Sequence, residues 1–172
     1  MKIITANVNG IRSAATKGFF EWVSVQNADV ICIQEVRADM GVLLEELYRP
    51  KGYHSHFCMA EKKGYSGVGI YSKREPDRIV KSLGWGVADQ EGRYIQADFD
   101  NLSIASLYMP SGSSSEDRQV IKMDFLGRFT QFLKQIKQSN RAFIITGDWN
   151  IAHTKEDIKN WRSNQKSSGF LP

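Results

Sequence analysis

The sequence predicts an α/β fold, and three observations predict it. Short apolar runs alternate with amphipathic segments along the chain. Two of those runs, Val30 to Ile33 and Ala142 to Thr146, read as strands covered on both faces. Several runs also end in polar residues, as in Asn7-Val8-Asn9-Gly10, Gln34-Glu35, Tyr108-Met109-Pro110 and Gly147-Asp148-Trp149-Asn150. Ligand sites of α/β folds gather outside the carboxyl ends of strands.

Taken in order, Ile3 to Val8 is predicted as the first strand. Thr16 to Gln26 follows as a helix that buries Phe19, Phe20, Trp22 and Val23. After the strand at Val30, Val42 to Tyr48 is a short helix that stops before Pro50. Tyr53 to Met59 is a strand. Gly67 to Ser72 is another, entered through the turn Gly64-Tyr65-Ser66-Gly67. Arg78 to Ser82, Tyr94 to Phe99 and Leu102 to Tyr108 complete a run of strands. Asp100-Asn101 forms the hairpin turn between the last two.

Ser113 and Glu116 have capping-box spacing. They should open a long helix with Ile121, Phe125, Phe129, Phe132, Leu133 and Ile136 on one face. After Asn150 the apolar pattern fades, and Asn160 to Pro172 reads as polar and irregular.

Composition sets outer bounds. The 172 residues suffice for one domain with its own core. Hydrophobic residues at 41% and charged residues at 24% suit a globular domain in water. No apolar run approaches the ~20 residues that span a bilayer. The N-terminus lacks the long apolar stretch of a signal peptide, so a cytoplasmic location is expected. Cys32 and Cys58 are too few for a disulfide framework, and no zinc-type spacing accompanies them. A net charge of +4 leans weakly toward a polyanionic partner.

If the polar strand ends are neighbours, one cleft holds two carboxylates, several carboxamides and a phenol. Mg²⁺ prefers oxygen ligands and commonly takes one or two carboxylates. A second carboxylate can deprotonate an attacking water. Amides and a phenol can hydrogen-bond phosphate oxygens as charge develops on them. The set suits hydrolysis of a phosphate ester, although Asp and Asn after a strand also commonly make turns or caps.

Six ordered motifs resemble the exonuclease III-like AP endonucleases. They are Asn7-Val8-Asn9-Gly10-Ile11-Arg12, Ile33-Gln34-Glu35, Gly64-Tyr65-Ser66-Gly67-Val68-Gly69, Glu91-Gly92-Arg93, Tyr108-Met109-Pro110 and Gly147-Asp148-Trp149-Asn150-Ile151-Ala152-His153. The segment from Asn164 to Gly169-Phe170-Leu171-Pro172 also resembles the family. The resemblance implies a four-layer α/β sandwich of two mixed β-sheets packed face to face, the DNase I-like fold. It implies a base-excision repair phosphodiesterase using Mg²⁺ or Mn²⁺. Its partner would be double-stranded DNA with abasic sites or 3′ ends, cut 5′ to an abasic site or trimmed in the 3′→5′ direction. No membrane partner is implied, and the complete protein would be a monomer.

By motif match, Glu35 is the principal metal ligand and Asn7 stands beside the metal. Asp148 activates the attacking water, Asn150 orients it with the phosphate, and Tyr108 is the phenol near the scissile phosphate. Arg12, Arg37, Tyr65 and Arg93 fall where the family touches or frames DNA. Two departures are visible. Asn9 stands where some relatives carry a carboxylate. The family's C-terminal Asp-His motif is also not found: His54, His56 and His153 lie elsewhere, and His54 and His56 share one face of a strand. The expectation is a single domain over residues 1–172 that stops before that motif and so leaves sheet edges uncovered. An inactive DNA-binding fragment, or a related phosphoesterase with a lipid, inositol phosphate or RNA substrate, are the alternatives.

Overall fold

In Val30–Gln34 every residue is buried, yet successive side chains face opposite ways. Val30 and Cys32 join one apolar cluster, whereas Ile31 and Ile33 join another. This strand therefore has a core on each side, which explains its unbroken apolar sequence. The computed structural model describes residues 1–171. The chain divides into two units: Met1–Tyr108 with Ser139–Asp148, and Met109–Gln138 with the segment from Trp149 onward.

The first unit holds eight strands in two four-stranded sheets. They are β1 (Ile3–Asn7), β2 (Val30–Gln34), β3 (His54–Cys58), β4 (Val68–Ser72), β5 (Arg78–Val80), β6 (Tyr94–Phe99), β7 (Leu102–Tyr108) and β8 (Ala142–Asp148). One sheet has the order β1-β2-β4-β3 and the other β5-β6-β7-β8. Both are mixed, because β1 runs parallel to β2 and β7 parallel to β8, while the other neighbours are antiparallel. The expected pair of packed mixed sheets is present.

Between the sheets, Val30, Cys32, Val68 and Ile70 meet Ile95, Ala97, Phe99 and Ile104. Full burial of each large apolar side chain contributes roughly 1.5–3 kcal/mol. Gln34 Nε2 donates across the gap to Ser106 Oγ at 2.9 Å, and Ser106 Oγ donates to the Ile33 carbonyl at 3.0 Å. The outer face of the first sheet packs on α1 (Ile11–Thr16) and α2 (Phe19–Gln26) through Ile11, Ala14 and Val23. The thiols of Cys32 and Cys58 are buried, and neither forms a disulfide.

Several boundaries differ from the sequence reading. The helix expected over Thr16 to Gln26 begins only at Phe19, as α2, because Gly18 has a φ of +84° that no helix interior adopts; Thr16 instead ends α1, a separate helix that was not expected. The helix expected over Val42 to Tyr48 is α3 (Met40–Leu43) followed by a 3₁₀ turn at Glu46–Tyr48. Asp39 caps it, accepting from Val42 N at 3.1 Å. A further helix, α4 (Gly86–Gln90), precedes β6. The strand expected over Ala142 to Thr146 continues to Asp148. It is half-exposed rather than buried, because it pairs only with β7 and forms a sheet edge.

In the second unit the long helix is α5 (Glu116–Lys137). Its cap is Ser115, not Ser113: Ser115 Oγ accepts from Arg118 N at 3.2 Å. Lys122, Phe125 and Phe129 are its buried residues. The rings of Phe125 and Phe129 stack at 6.0 Å, and Trp149 meets Phe129 edge-on at 5.9 Å. The polar tail is more ordered than its composition suggests. It contains a 3₁₀ turn at Lys155–Asp157 with a Thr154–Asp157 capping box, then α6 (Trp161–Asn164). Among the described residues, no helix is long and apolar enough to cross a membrane.

Ile70→Ala, which empties space between the sheets, should cost about 2–5 kcal/mol. Val25→Ala on the exposed side of α2 should change stability by less than about 0.5 kcal/mol. Urea unfolding of both variants checks this. Equal effects would contradict the placement of the core.

Candidate active site

Four strands end at one place. β1 and β2 run parallel in register to Asn7↔Gln34, and β7 and β8 run parallel to Tyr108↔Asp148. The next residue after β2 is Glu35. Asn7 Nδ2 donates to Glu35 Oε1 at 2.7 Å and to Asp148 Oδ2 at 2.8 Å. One carboxamide therefore bridges two carboxylates that come from different sheets. Its Oδ1 accepts from Asn9 N at 2.9 Å, which fixes the direction in which the amide faces.

The loops around Glu35 are held in costly conformations. Asn9, Glu35, Arg37 and Ser66 all have positive φ, between 45° and 55°. Each such residue costs on the order of 1–3 kcal/mol and persists only where its surroundings over-determine it. Main-chain bonds do so here. Gly10 N donates to the Glu35 carbonyl at 2.7 Å and Ile11 N to the Val36 carbonyl at 2.9 Å. Val36 N and Arg37 N donate in turn to the carbonyls of Gly67 (3.0 Å) and Ser66 (2.9 Å). The Glu35 loop is thus stitched to the loop after β1 on one side and to the Ser66 turn on the other.

Asp148 depends on Gly147. A Cβ at position 147 would stand 2.0 Å from the Leu107 carbonyl oxygen. Only glycine lets β8 stay paired with β7 to its last residue, and so only glycine brings Asp148 level with Tyr108.

Glu35 is 8% exposed, and Arg37 pairs with its second oxygen. Tyr108 also hydrogen-bonds Glu35, its phenol donating. Burial first, then the Glu35 charge and that bond, push the Tyr108 hydroxyl up to about 12. The neighbouring Arg93 pulls the other way. Tyr108 is therefore a neutral hydrogen-bond donor at physiological pH.

Arg93 is 2% exposed. Its guanidinium bonds Glu91 at 2.6 Å, the Tyr108 carbonyl at 2.9 Å and Tyr65 OH at 3.1 Å, and lies 4.8 Å from the centre of the Tyr108 ring. It frames the two tyrosines rather than presenting a surface charge.

Among the residues singled out from sequence, the structure gathers Asn7, Glu35, Tyr108 and Asp148, with Arg37, Arg93 and Tyr65 around them. Arg12 lies exposed on α1. Asn150 belongs to the second unit, where its Nδ2 donates to the Met109 carbonyl at 2.8 Å. His54 pairs with Glu75 at 2.8 Å, consistent with a structural role. The supporting roles of Ser106 and Gly147, and the burial of Lys122, are not legible in the sequence. The only signal for Lys122 is that it precedes Phe125 and Phe129 at helical spacing on the buried side.

The donor set fits a hard divalent cation. It offers two carboxylates and neighbouring amides, all oxygen chemistry, and Mg²⁺ commonly needs no more protein carboxylates than that. Among the described residues no cluster of three or more His, Cys, Asp or Glu side chains suits a metal.

A sequence model of the endonuclease/exonuclease/phosphatase family matches residues 4–171. The chain belongs to this family. Family relatives include the DNA-(apurinic or apyrimidinic site) endonuclease of Dictyostelium discoideum, 35% identical over 175 residues. That match covers 99% of this chain and 47% of the relative. The exodeoxyribonuclease of Bacillus subtilis (strain 168) is 33% identical over 171 residues, with 99% and 66% covered. This chain thus spans about half to two-thirds of the length of those family members. Among solved structures, an AP endonuclease from Archaeoglobus fulgidus superposes with a TM-score of 0.85 at 26% identity, covering 99% of this chain and 66% of that one.

The raised Tyr108 hydroxyl has a stability consequence. The folded state holds this proton more tightly than an unfolded tyrosine, which ionises near ~10. The stabilisation is complete below that pH and is lost as pH rises toward about 12. In alkaline titration, the phenolate absorbance missing from Tyr108→Phe should appear near pH 12. Its appearance at the pH of an ordinary exposed tyrosine would contradict the site geometry.

Proposed function

We propose that the protein hydrolyses phosphodiester bonds in double-stranded DNA, at abasic sites and at 3′ ends. Mg²⁺ or Mn²⁺ would be held at Glu35 with Asn7 beside it. The observation that carries this reading is the Asn7 carboxamide joining Glu35 and Asp148 at the ends of β1, β2 and β8. Family membership, and the AP endonuclease and exodeoxyribonuclease names of the relatives, support the substrate class.

When bound, the cation would neutralise charge on the phosphate and orient it. The chain's own groups do the rest. Asp148 accepts a proton from the attacking water, as a general base. The water oxygen bonds to phosphorus, the P–O3′ bond breaks with its electron pair on O3′, and that oxygen takes a proton from solvent, leaving a 3′-hydroxyl and a 5′-phosphate. The neutral Tyr108 hydroxyl has one proton, which it donates to Glu35; with the cation on Glu35, that proton would turn to a non-bridging oxygen as its charge grows. Arg93 holds that phenol from behind through its ring and main chain. Asn150, two residues beyond Asp148 in the sequence, orients the phosphate by motif match. Arg12 supplies an exposed cation for the DNA backbone, Arg37 is half-exposed beside Glu35, and Tyr65 packs against Arg93.

Duplex DNA carrying one abasic-site analogue tests the reading. Incision should occur with Mg²⁺ and stop with EDTA. Asp148→Asn should lower kcat by roughly 10²–10⁴-fold while DNA binding persists, the usual loss for a general base. Glu35→Ala should lower turnover sharply as well. Near-normal turnover in both variants overturns the assignment, and turnover of a phosphoinositide without DNA incision would move the protein to another substrate class. Arg12→Ala should reduce the dependence of log K on log salt by about one. An unchanged slope would remove Arg12 from the DNA contact.

A further inference from the structure

Lys122 lies early in α5 and is 1% exposed, which lysine rarely is without strong partners. Its ammonium donates to the main-chain carbonyls of Asn150 at 2.7 Å, Ser168 at 3.0 Å and Ser111 at 3.2 Å, and to Ser168 Oγ at 3.3 Å. One charge therefore ties together the segments around residues 111, 150 and 168. All three belong to the second unit. The shortest of these bonds goes to Asn150.

The φ of Asn150 is +49°, in the left-handed region that asparagine enters more readily than most residues, and these bonds select that conformation over the extended one. The direction of its carboxamide follows from the orientation of that backbone. The side chain is then fixed by Nδ2 donating to the Met109 carbonyl at 2.8 Å. The loop's other side is fixed by Ala152 N donating to the Gly169 carbonyl at 2.9 Å. Charge-assisted bonds are shorter and stronger than neutral ones, and three N–H donors on one nitrogen can reach carbonyls arriving from different directions. A planar guanidinium cannot match that convergence.

We propose that Lys122 is a positioning residue for Asn150: its buried ammonium holds the Asn150 main chain in its left-handed conformation and so fixes the direction of the carboxamide. The proposal rests on the reading of Asn150 given above. It predicts an effect on turnover rather than on binding, because a small misplacement of an aimed group acts mainly in the transition state.

The test compares the wild-type protein with Lys122→Met and Lys122→Arg. The first readout is the Asn150 side-chain amide pair in ¹⁵N-labelled protein, and it requires no activity. The second is kcat and KM on the abasic-site duplex. The expected result is an amide pair that moves in Lys122→Met and shifts back toward its original position in Lys122→Arg. With it, kcat should fall roughly 100-fold in Lys122→Met with KM changed less than about threefold, and should recover in part in Lys122→Arg. An unmoved Asn150 amide pair in a folded Lys122→Met protein overturns the proposal. So does a rise in KM with kcat unchanged.

If Lys122→Met does not fold, the wild-type protein decides. The Lys122 ammonium should then exchange slowly and show coupling through the hydrogen bond to the Asn150 carbonyl carbon, whereas fast exchange without coupling overturns the proposal. A wild-type protein that leaves the duplex uncut would sink the nuclease reading, and the amide pair would still judge Lys122.

Discussion

Two carboxylates at neighbouring strand ends repel each other, and the site depends on the group placed between them. That group is the Asn7 carboxamide, which spends both N–H bonds on Glu35 and Asp148. The arrangement requires two sheets to present matching edges. β1 ends level with β2 and β8 ends level with β7, so an error of one residue in either register would turn a carboxylate away from Asn7. The apolar core between the sheets, with its Gln34–Ser106 bond, fixes that alignment. Site geometry and packing are thus one problem in this chain.

The site also concentrates conformational cost. Glu35 and Arg37 are in left-handed conformations directly after a fully buried strand, and Asn9 and Ser66 face them in the adjoining loops. A network of main-chain bonds makes these conformations mutually dependent, so moving one loop would release the others. Charge is handled in the same way. Arg37 neutralises one side of Glu35, Arg93 supports Tyr108 from within the fold, and Tyr108 keeps its proton because burial and Glu35 both oppose its loss.

Much of this was legible in the sequence, for a physical reason. Buried strands need apolar residues at consecutive positions, so the polar residues that follow them mark strand ends and stand out. Asn7, Glu35, Tyr108 and Asp148 could be picked out on that basis, and their gathering follows from parallel pairing. What was not legible involves residues whose environment contradicts their type. Arg93 was expected where the family touches or frames DNA and Lys122 was not singled out, yet both are almost fully buried. The Ser113-Ser114-Ser115 run offers three equivalent caps, and only the backbone selects Ser115. The break at Gly18 was missed because a single glycine is tolerated within a helix. An uncovered sheet edge was expected, but its place at β8 was not legible, since Ala142-Phe143-Ile144-Ile145 looks the same in a central or an edge strand.

The most direct test of the central claim, that these strand ends form one oxygen-lined cation site, is a Mn²⁺ titration of the ¹⁵N-labelled protein. Paramagnetic broadening reports proximity residue by residue. The amides of Asn7, Glu35 and Asp148 should broaden first and together, and Glu35→Ala should abolish the effect. Broadening that begins instead at the surface acids Asp77 and Asp100, or that survives Glu35→Ala unchanged, would contradict it.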